Sequence, residues 1–226
     1  MKKFELTSET KINVFGKKLF RIKALISFGN VEAGETGGWV EKEENVNQSG
    51  NAWVYGNAEV YGNAKVCGNA KVYGDAKVCG NAWVYGNAEV YGNAKVYGNA
   101  EVCGDAKVYG NAEVCGNAKV YGNAKVYGNA KVCGNAKVYG DAKVCGNAKV
   151  YGNADYTTIQ GFGTQFRTTT FFRCKDKAVR VSCGCFFGTI PEFREQVKNT
   201  RKGKIAKEYL MIAGLMEKHF EVENNE

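Results

Sequence analysis

Val60-Tyr61-Gly62-Asn63-Ala64-Lys65-Val66-Cys67-Gly68-Asn69-Ala70-Lys71 is one six-residue phrase said twice, and the phrase continues without insertion from Ala52 to Ala154. Its general form is Ala-x-Val-(Tyr/Cys)-Gly-(Asn/Asp). Seventeen valines, Val54 to Val150, recur at a strict spacing of six. One hexad is a single short strand and a corner, too small to bury anything alone. Only stacking of successive copies into a solenoid gives this stretch a core. Strand alternation sets Ala and Val on one side and the x and Tyr/Cys residues on the other. The predicted interior is therefore Val with Ala, and the predicted exterior is Lys, Glu or Trp beside Tyr or Cys. Gly-Asn or Gly-Asp turns each corner, because glycine takes positive φ freely and Asn and Asp tolerate it better than other residues.

This pattern resembles the hexapeptide-repeat left-handed β-helix, matching at the aliphatic and small positions. It departs at the second position, where Tyr or Cys stands. The resemblance implies three hexads per triangular coil, hence roughly 5.7 coils and a prism about 27 Å long at ~4.8 Å per coil. Val40 and Val46 keep the spacing of six and predict an earlier, irregular coil. With eighteen residues per coil, Tyr55, Tyr73, Tyr91, Tyr109 and Tyr127 fall in one column and are expected to stack.

A longer period overlies the short one. Asn51–Gly80 and Asn81–Gly110 are nearly the same thirty residues. Thirty is not a whole number of such coils, so each copy moves to another face and no face is expected to be built as a site. The Tyr/Cys, Asn/Asp and Lys/Glu alternatives each differ by one transition in the genetic code, which reads as expansion followed by drift.

The ends of a solenoid expose strand edges and need caps. Residues 1–33 read as an N-terminal cap, residues 34–154 as the solenoid and residues 155–226 as a C-terminal cap. Lys11–Leu25 predicts a hairpin, with Ile12 and Val14 alternating and Phe15-Gly16-Lys17-Lys18 turning. Gly34–Gly38 reads as a glycine-rich joint. Thr168–Cys174 and Ala178–Cys183 predict a second hairpin around Lys175-Asp176-Lys177. Thr189-Ile190-Pro191-Glu192 is a capping box with proline in the first turn, opening a helix to about Lys198. Ile205, Tyr209, Ile212, Leu215, Met216 and Phe220 form a helical stripe expected to pack on the last coil or the hairpin. Residues 221–226 read as a frayed acidic tail. Residues 34–51 (GETGGWVEKEENVNQSGN) and 155–220 resemble uncharacterised bacterial and phage or prophage hexapeptide-repeat proteins, which are often labelled acyltransferases on the repeat alone.

Chemistry is sparse. Hexapeptide acyltransferases use a histidine as general base, and the sole histidine here, His219, lies near the chain's end, where it reads as packing or capping. No inserted loop interrupts the repeat. γ-Class carbonic anhydrases need three histidines on zinc, which this chain lacks. No catalytic residue, cofactor or metal is therefore expected. Six of nine cysteines replace Tyr in the repeat. Cys115 and Cys133 are eighteen apart and near disulfide distance on successive coils, but the preferred reading is interchangeable thiols in a reducing cytosol. Cys174, Cys183 and Cys185 read as hairpin thiols, with metal binding alongside His219 as the alternative.

The net charge is +8. Eleven of the seventeen x positions are Lys, including the last six, Lys119 to Lys149. The C-terminal region adds Arg167, Arg173, Arg180, Arg194, Lys198, Arg201 and Lys202, the candidate interaction surface. No secretory or membrane-length apolar run is present, which with free cysteines points to the cytoplasm of a bacterium or phage-infected cell. The expectation is a non-catalytic scaffold or binding protein with an unidentified protein partner and no membrane association. An acyltransferase-like enzyme and a sequence-independent nucleic-acid binder are the alternatives. Oligomeric state stays open, with the trimer common among the resembling enzymes included.

Overall fold

The computed structural model describes residues 1–221. Three antiparallel or edge strands open the chain, β1 (Phe4–Ile12), β2 (Lys18–Ala24) and β3 (Thr36–Val40). Seventeen two-residue strands follow, β4 (Trp53–Val54) to β20 (Lys149–Val150). Each pairs in parallel with the strand eighteen residues away, as Val90 does with Val72 and Val108. The result is a β-solenoid of three sheets, running β4-β7-β10-β13-β16-β19, β6-β9-β12-β15-β18 and β5-β8-β11-β14-β17-β20. Every repeat valine and alanine from Ala52 to Val150 is buried. A narrow interior filled by these two residue types leaves no room for a larger side chain, as the alternation predicts.

The earlier coil is present and irregular. Val40 pairs with Val60 and Val46 bridges Val66, both twenty residues apart rather than eighteen. The 3-10 turn Glu43–Asn45 accommodates the difference. Gly37 and Gly38 are not a joint but part of β3. A Cβ on either would lie 2.6 Å from Ile22 or Val54 side-chain atoms, so close packing explains the glycines.

The solenoid has a hydrogen-bond polarity that dictates its caps. The N–H groups that flank each repeat valine, and that of the corner Asn, donate toward the C-terminal end, as Asn63 does to Gly80 O, Lys65 to Ala82 O and Cys67 to Val84 O. The first coil therefore exposes carbonyls, and donors cover them. The buried Lys3 ammonium donates to Ala52 O at 2.9 Å, and the Asn45 amide donates to Ala64 O at 2.9 Å and Gly62 O at 3.1 Å. Desolvation pulls the Lys3 ammonium down to about 8. The last coil exposes N–H groups, and acceptors cover them. Lys137 N donates to Asn153 Oδ1 at 2.9 Å and Lys143 N to Thr170 Oγ1 at 3.1 Å.

The N-terminal hairpin forms, but starts earlier than its sequence suggests. Val14 lies in the turn, and both Ile12 and Val14 are exposed. The Asn13 carboxamide accepts from Phe15 N at 2.9 Å and Lys17 N at 3.0 Å, which closes the loop. This hairpin continues the sheet β1-β2-β3-β5 and covers Trp53 with Phe4 and Phe28. Trp53 is thus a fully buried exception to the predicted exterior position, whereas Trp83, its thirty-residue counterpart on a different sheet, is 45% exposed.

At the other end, β21 (Tyr156–Phe162), β22 (Arg167–Arg173), β23 (Val179–Cys183) and β24 (Phe186–Thr189) form a four-stranded antiparallel sheet. The predicted hairpin is its central pair. Helices α1 (Ile190–Thr200) and α2 (Gly203–Glu221) follow. The Thr189 hydroxyl accepts from Glu192 N at 3.3 Å while Glu192 Oε2 accepts from Thr189 N at 2.7 Å. Phe171 and Val181 from the sheet pack with Phe193, Tyr209, Ile212, Met216 and Phe220 into a core separate from the valine column. Leu215 does not join that core; it is 59% exposed. Residues 222–226, most of the predicted acidic tail, lie outside the described residues.

Candidate interaction surface

The repeat's outer side chains largely satisfy one another. Corner asparagines form ladders in which each amide donates to the asparagine or aspartate one coil on, as in Asn63 to Asn81, Asn81 to Asn99 and Asn99 to Asn117 at 3.0–3.2 Å. Tyr73, Tyr91, Tyr109 and Tyr127 stack with ring centroids 4.6–4.9 Å apart. All four glutamates of the repeat meet a lysine one coil on. The pairs are Glu59–Lys77, Glu89–Lys107, Glu101–Lys119 and Glu113–Lys131, at 2.9–3.4 Å. Tyrosine hydroxyls of Tyr73, Tyr85 and Tyr97 donate to three of those carboxylates. The Lys/Glu alternation therefore has a physical consequence beyond drift. Burial would raise the Glu113 carboxyl, but Lys131 and Tyr97 outweigh it and hold its pKa below the ordinary value.

The last six repeat lysines divide two to a sheet, on β15 and β18, β16 and β19, and β17 and β20. No face carries them as a stripe.

The seven predicted cap residues separate into two groups. Arg173 donates to Phe220 O at 2.7 Å and lies over the Phe220 ring, which ties the end of α2 to the sheet. Arg194 joins α1 to α2 through Glu217 at 2.5 Å, and Arg180 pairs with Asp176 at 2.7 Å. These three are structural. Arg167 begins β22 at the sheet's margin and is exposed. Lys198, Arg201 and Lys202 are exposed around the α1–α2 connection, with no ion pair among the described residues.

Next to this basic connection lies a feature the sequence reading missed. Met211 and Leu215, one helical turn apart on α2, are 75% and 59% exposed. Lys204, Lys207 and Lys218 are exposed at the spacings that put them on the same side of the helix. The core stripe 205-209-212-216-220 is complete without Leu215, so two further apolar residues off that stripe were the available signal.

His219 is exposed and meets the Phe220 ring edge-on at 5.0 Å. Cys174 is buried, and burial pushes its thiol up to about 11. Cys183 accepts from the Thr169 hydroxyl at 3.1 Å, and Cys185 is exposed. Among the described residues no three His, Cys, Asp or Glu side chains gather as metal ligands. Cys115 and Cys133 are joined as a disulfide between successive coils, with Cα atoms 4.6 Å apart. They are not the interchangeable free thiols expected, because exact stacking sets these two corners side by side. The other seven cysteines are free. No described helix is long and apolar enough to cross a membrane.

No family model matches the chain, and no curated protein matches it.

Proposed function

We propose that the chain is a non-catalytic interaction protein, a stiff solenoid that presents the outer face of its C-terminal helical cap to an acidic protein partner. The observation that carries this reading is the contrast between the two surfaces. Most of the solenoid's corner asparagines and all four of its glutamates are engaged one coil on, and its last six lysines are divided over three sheets, whereas Lys198, Arg201, Lys202, Lys204, Lys207 and Lys218 lie around an exposed Met211–Leu215 pair. Among the described residues Lys204 alone of these has a counter-ion, Glu208 at 3.6 Å in an exposed, weakly stabilising pair. A basic rim around apolar side chains complements an acidic surface with an apolar centre. The resemblance of the flanks to phage and bacterial repeat proteins supports a host protein in that role.

Capture of tagged full-length protein from nuclease-treated bacterial lysate tests the reading, beside Lys198→Glu/Arg201→Glu/Lys202→Glu and Lys125→Glu/Lys143→Glu variants. A stoichiometric protein lost only by the cap variant is expected. Retention of that protein by the cap variant, loss of all binding with nuclease, or saturable binding of acetyl-coenzyme A along the coils would each sink it.

A further inference from the structure

Where the repeat carries cysteine in place of tyrosine, the aromatic ladder loses a rung. Tyr61, Cys79 and Tyr97 follow one another on successive coils, since Val78 pairs in parallel with both Val60 and Val96. In the unbroken column the rings of Tyr73, Tyr91, Tyr109 and Tyr127 stack 4.6–4.9 Å apart. The Cys79 side chain ends at its sulfur, so the volume of one ring is missing between Tyr61 and Tyr97. Those two positions are two coils apart, about 9.6 Å at the strand spacing. A flat ring midway would lie ~4.8 Å from each, within the range over which stacked rings attract.

The gap persists as a cavity of about 300 Å³. Tyr61 is its buried wall and Tyr97 the opposite one. Both tyrosines lean as the intact ladder does. The Tyr97 hydroxyl donates to Glu113 Oε2 at 3.3 Å, as that of Tyr73 does to Glu89 at 3.0 Å, and the Tyr61 hydroxyl is turned to the Cys79 thiol. No ring stacks on Tyr97 among the described residues, and on its far side the column continues into the Cys115–Cys133 bridge. Its free face is therefore the one toward Cys79.

The turn of the N-terminal hairpin closes the gap from the side. Phe15 stands 6.2 Å from the Tyr61 ring, tilted by 36°, and Val14 lies beside it on the cavity wall. The Asn13 carboxamide holds that turn in place. Two large apolar side chains that fold into no core, Val14 and Phe15, thus have a common place at this cavity.

Charge at the rim is decided by pairing. Lys77 is held by Glu59 at 3.4 Å, and Glu113 by Lys131 at 2.9 Å. Lys95 has no ion pair among the described residues, so the uncommitted charge is positive.

We infer that the Cys79 gap is a binding site for a small molecule with one planar aromatic ring bearing a carboxylate. The ring takes the place of the missing tyrosine between Tyr61 and Tyr97, against Phe15, and the carboxylate turns outward to Lys95. Ring contacts carry the binding; an exposed ion pair to Lys95 adds little and sets orientation. A slot one ring wide admits no protein partner, so the site stands apart from the outer face of α2 and does not depend on it.

Ligand-detected NMR titration of the full-length protein with benzoate, cyclohexanecarboxylate and benzylamine tests the inference. Saturable benzoate binding with Kd of about 1 mM or below is expected. Cyclohexanecarboxylate, with the same charge on a puckered ring, should bind about tenfold more weakly, and benzylamine more weakly than benzoate. Cys79→Tyr introduces the residue that the repeat carries here on other coils, so it keeps the fold, fills the gap covalently and should abolish benzoate binding. Cys103→Tyr, in the separate column of Tyr85 and Tyr121, should leave the affinity unchanged. Tyr97→Leu should weaken benzoate about fivefold or more, and Lys95→Gln about twofold. Absence of saturable benzoate binding, equal affinity for cyclohexanecarboxylate, or wild-type affinity in Cys79→Tyr or Tyr97→Leu overturns the site. Tighter binding of benzylamine than of benzoate overturns its assignment to an acid.

Discussion

Replacing Gly86 and Gly140 separately with alanine divides two costs that are combined at most corners of the solenoid. Both glycines have positive φ, +70° and +63°. An alanine there is strained by about 1–2 kcal/mol in either case. They differ in what stands above them. A Cβ on Gly86 would lie 2.9 Å from Gly104 N and 3.2 Å from Gly104 O, backbone atoms that cannot swing aside. A Cβ on Gly140 would meet nothing within 4 Å. Overpacking of a close-packed site costs about 1–3 kcal/mol more. Gly86→Ala should therefore lose about 2–5 kcal/mol and Gly140→Ala about 1–2. Denaturant unfolding followed by circular dichroism measures the totals. Amide exchange is needed beside it, because stacked repeats can open in parts. In Gly86→Ala the Asn87 amide, which donates to Gly104 O at 2.8 Å, should exchange faster. Equal losses at the two positions would refute the claim that coil stacking, and not φ alone, demands the corner glycine.

Trp53 and Trp83 occupy equivalent repeat positions, yet Trp53→Ala should cost about 3–5 kcal/mol and Trp83→Ala about 0.5 in the same unfolding assay. Thiol titration of the denatured, unreduced protein should count seven free cysteines of the nine; Cys115→Ser should lower stability by about 3 kcal/mol, a difference that disappears when both proteins are reduced. The Gly62 N–H lowers the Glu41 pKa, and Lys131 with Tyr97 lowers that of Glu113 despite its burial, both from an ordinary 4.5. Their contribution is complete above that value and is lost as pH falls through the lower folded values, so stability should be level from pH 7 to 5 and decline below about 4.5. Glu41→Gln/Glu113→Gln should flatten that decline, which acid titration of the unfolding midpoint checks.

The solenoid was legible because its signal is local and repeated: Val54 to Val150 at one spacing leaves a single arrangement that buries them. The capping box at Thr189 was legible for the same reason, since its two hydrogen bonds span three residues. What escaped the sequence depends on partners distant along the chain. Trp53 looks like any exterior x residue until the hairpin bearing Phe4 covers it. Gly37 and Gly38 look like a flexible joint until Ile22 and Val54 press against them. Strand β21 mixes threonines with a single central isoleucine and shows no sided alternation, and β24 is only four residues long. The candidate surface was half legible. Charge alone singled out seven basic residues, but charge does not reveal which of them have carboxylates or carbonyls waiting across the fold. Arg173, Arg180 and Arg194 do, and among the described residues Lys198, Arg201 and Lys202 have no ion pair.

The central claim is that the helical cap, not the faces of the solenoid, is the surface that binds. Hydrogen exchange of the captured complex against the free protein tests it most directly. Slowed exchange confined to α2 and the α1–α2 connection, about residues 198–218, is the result predicted. Slowed exchange along successive coils, with the cap unchanged, would contradict the account.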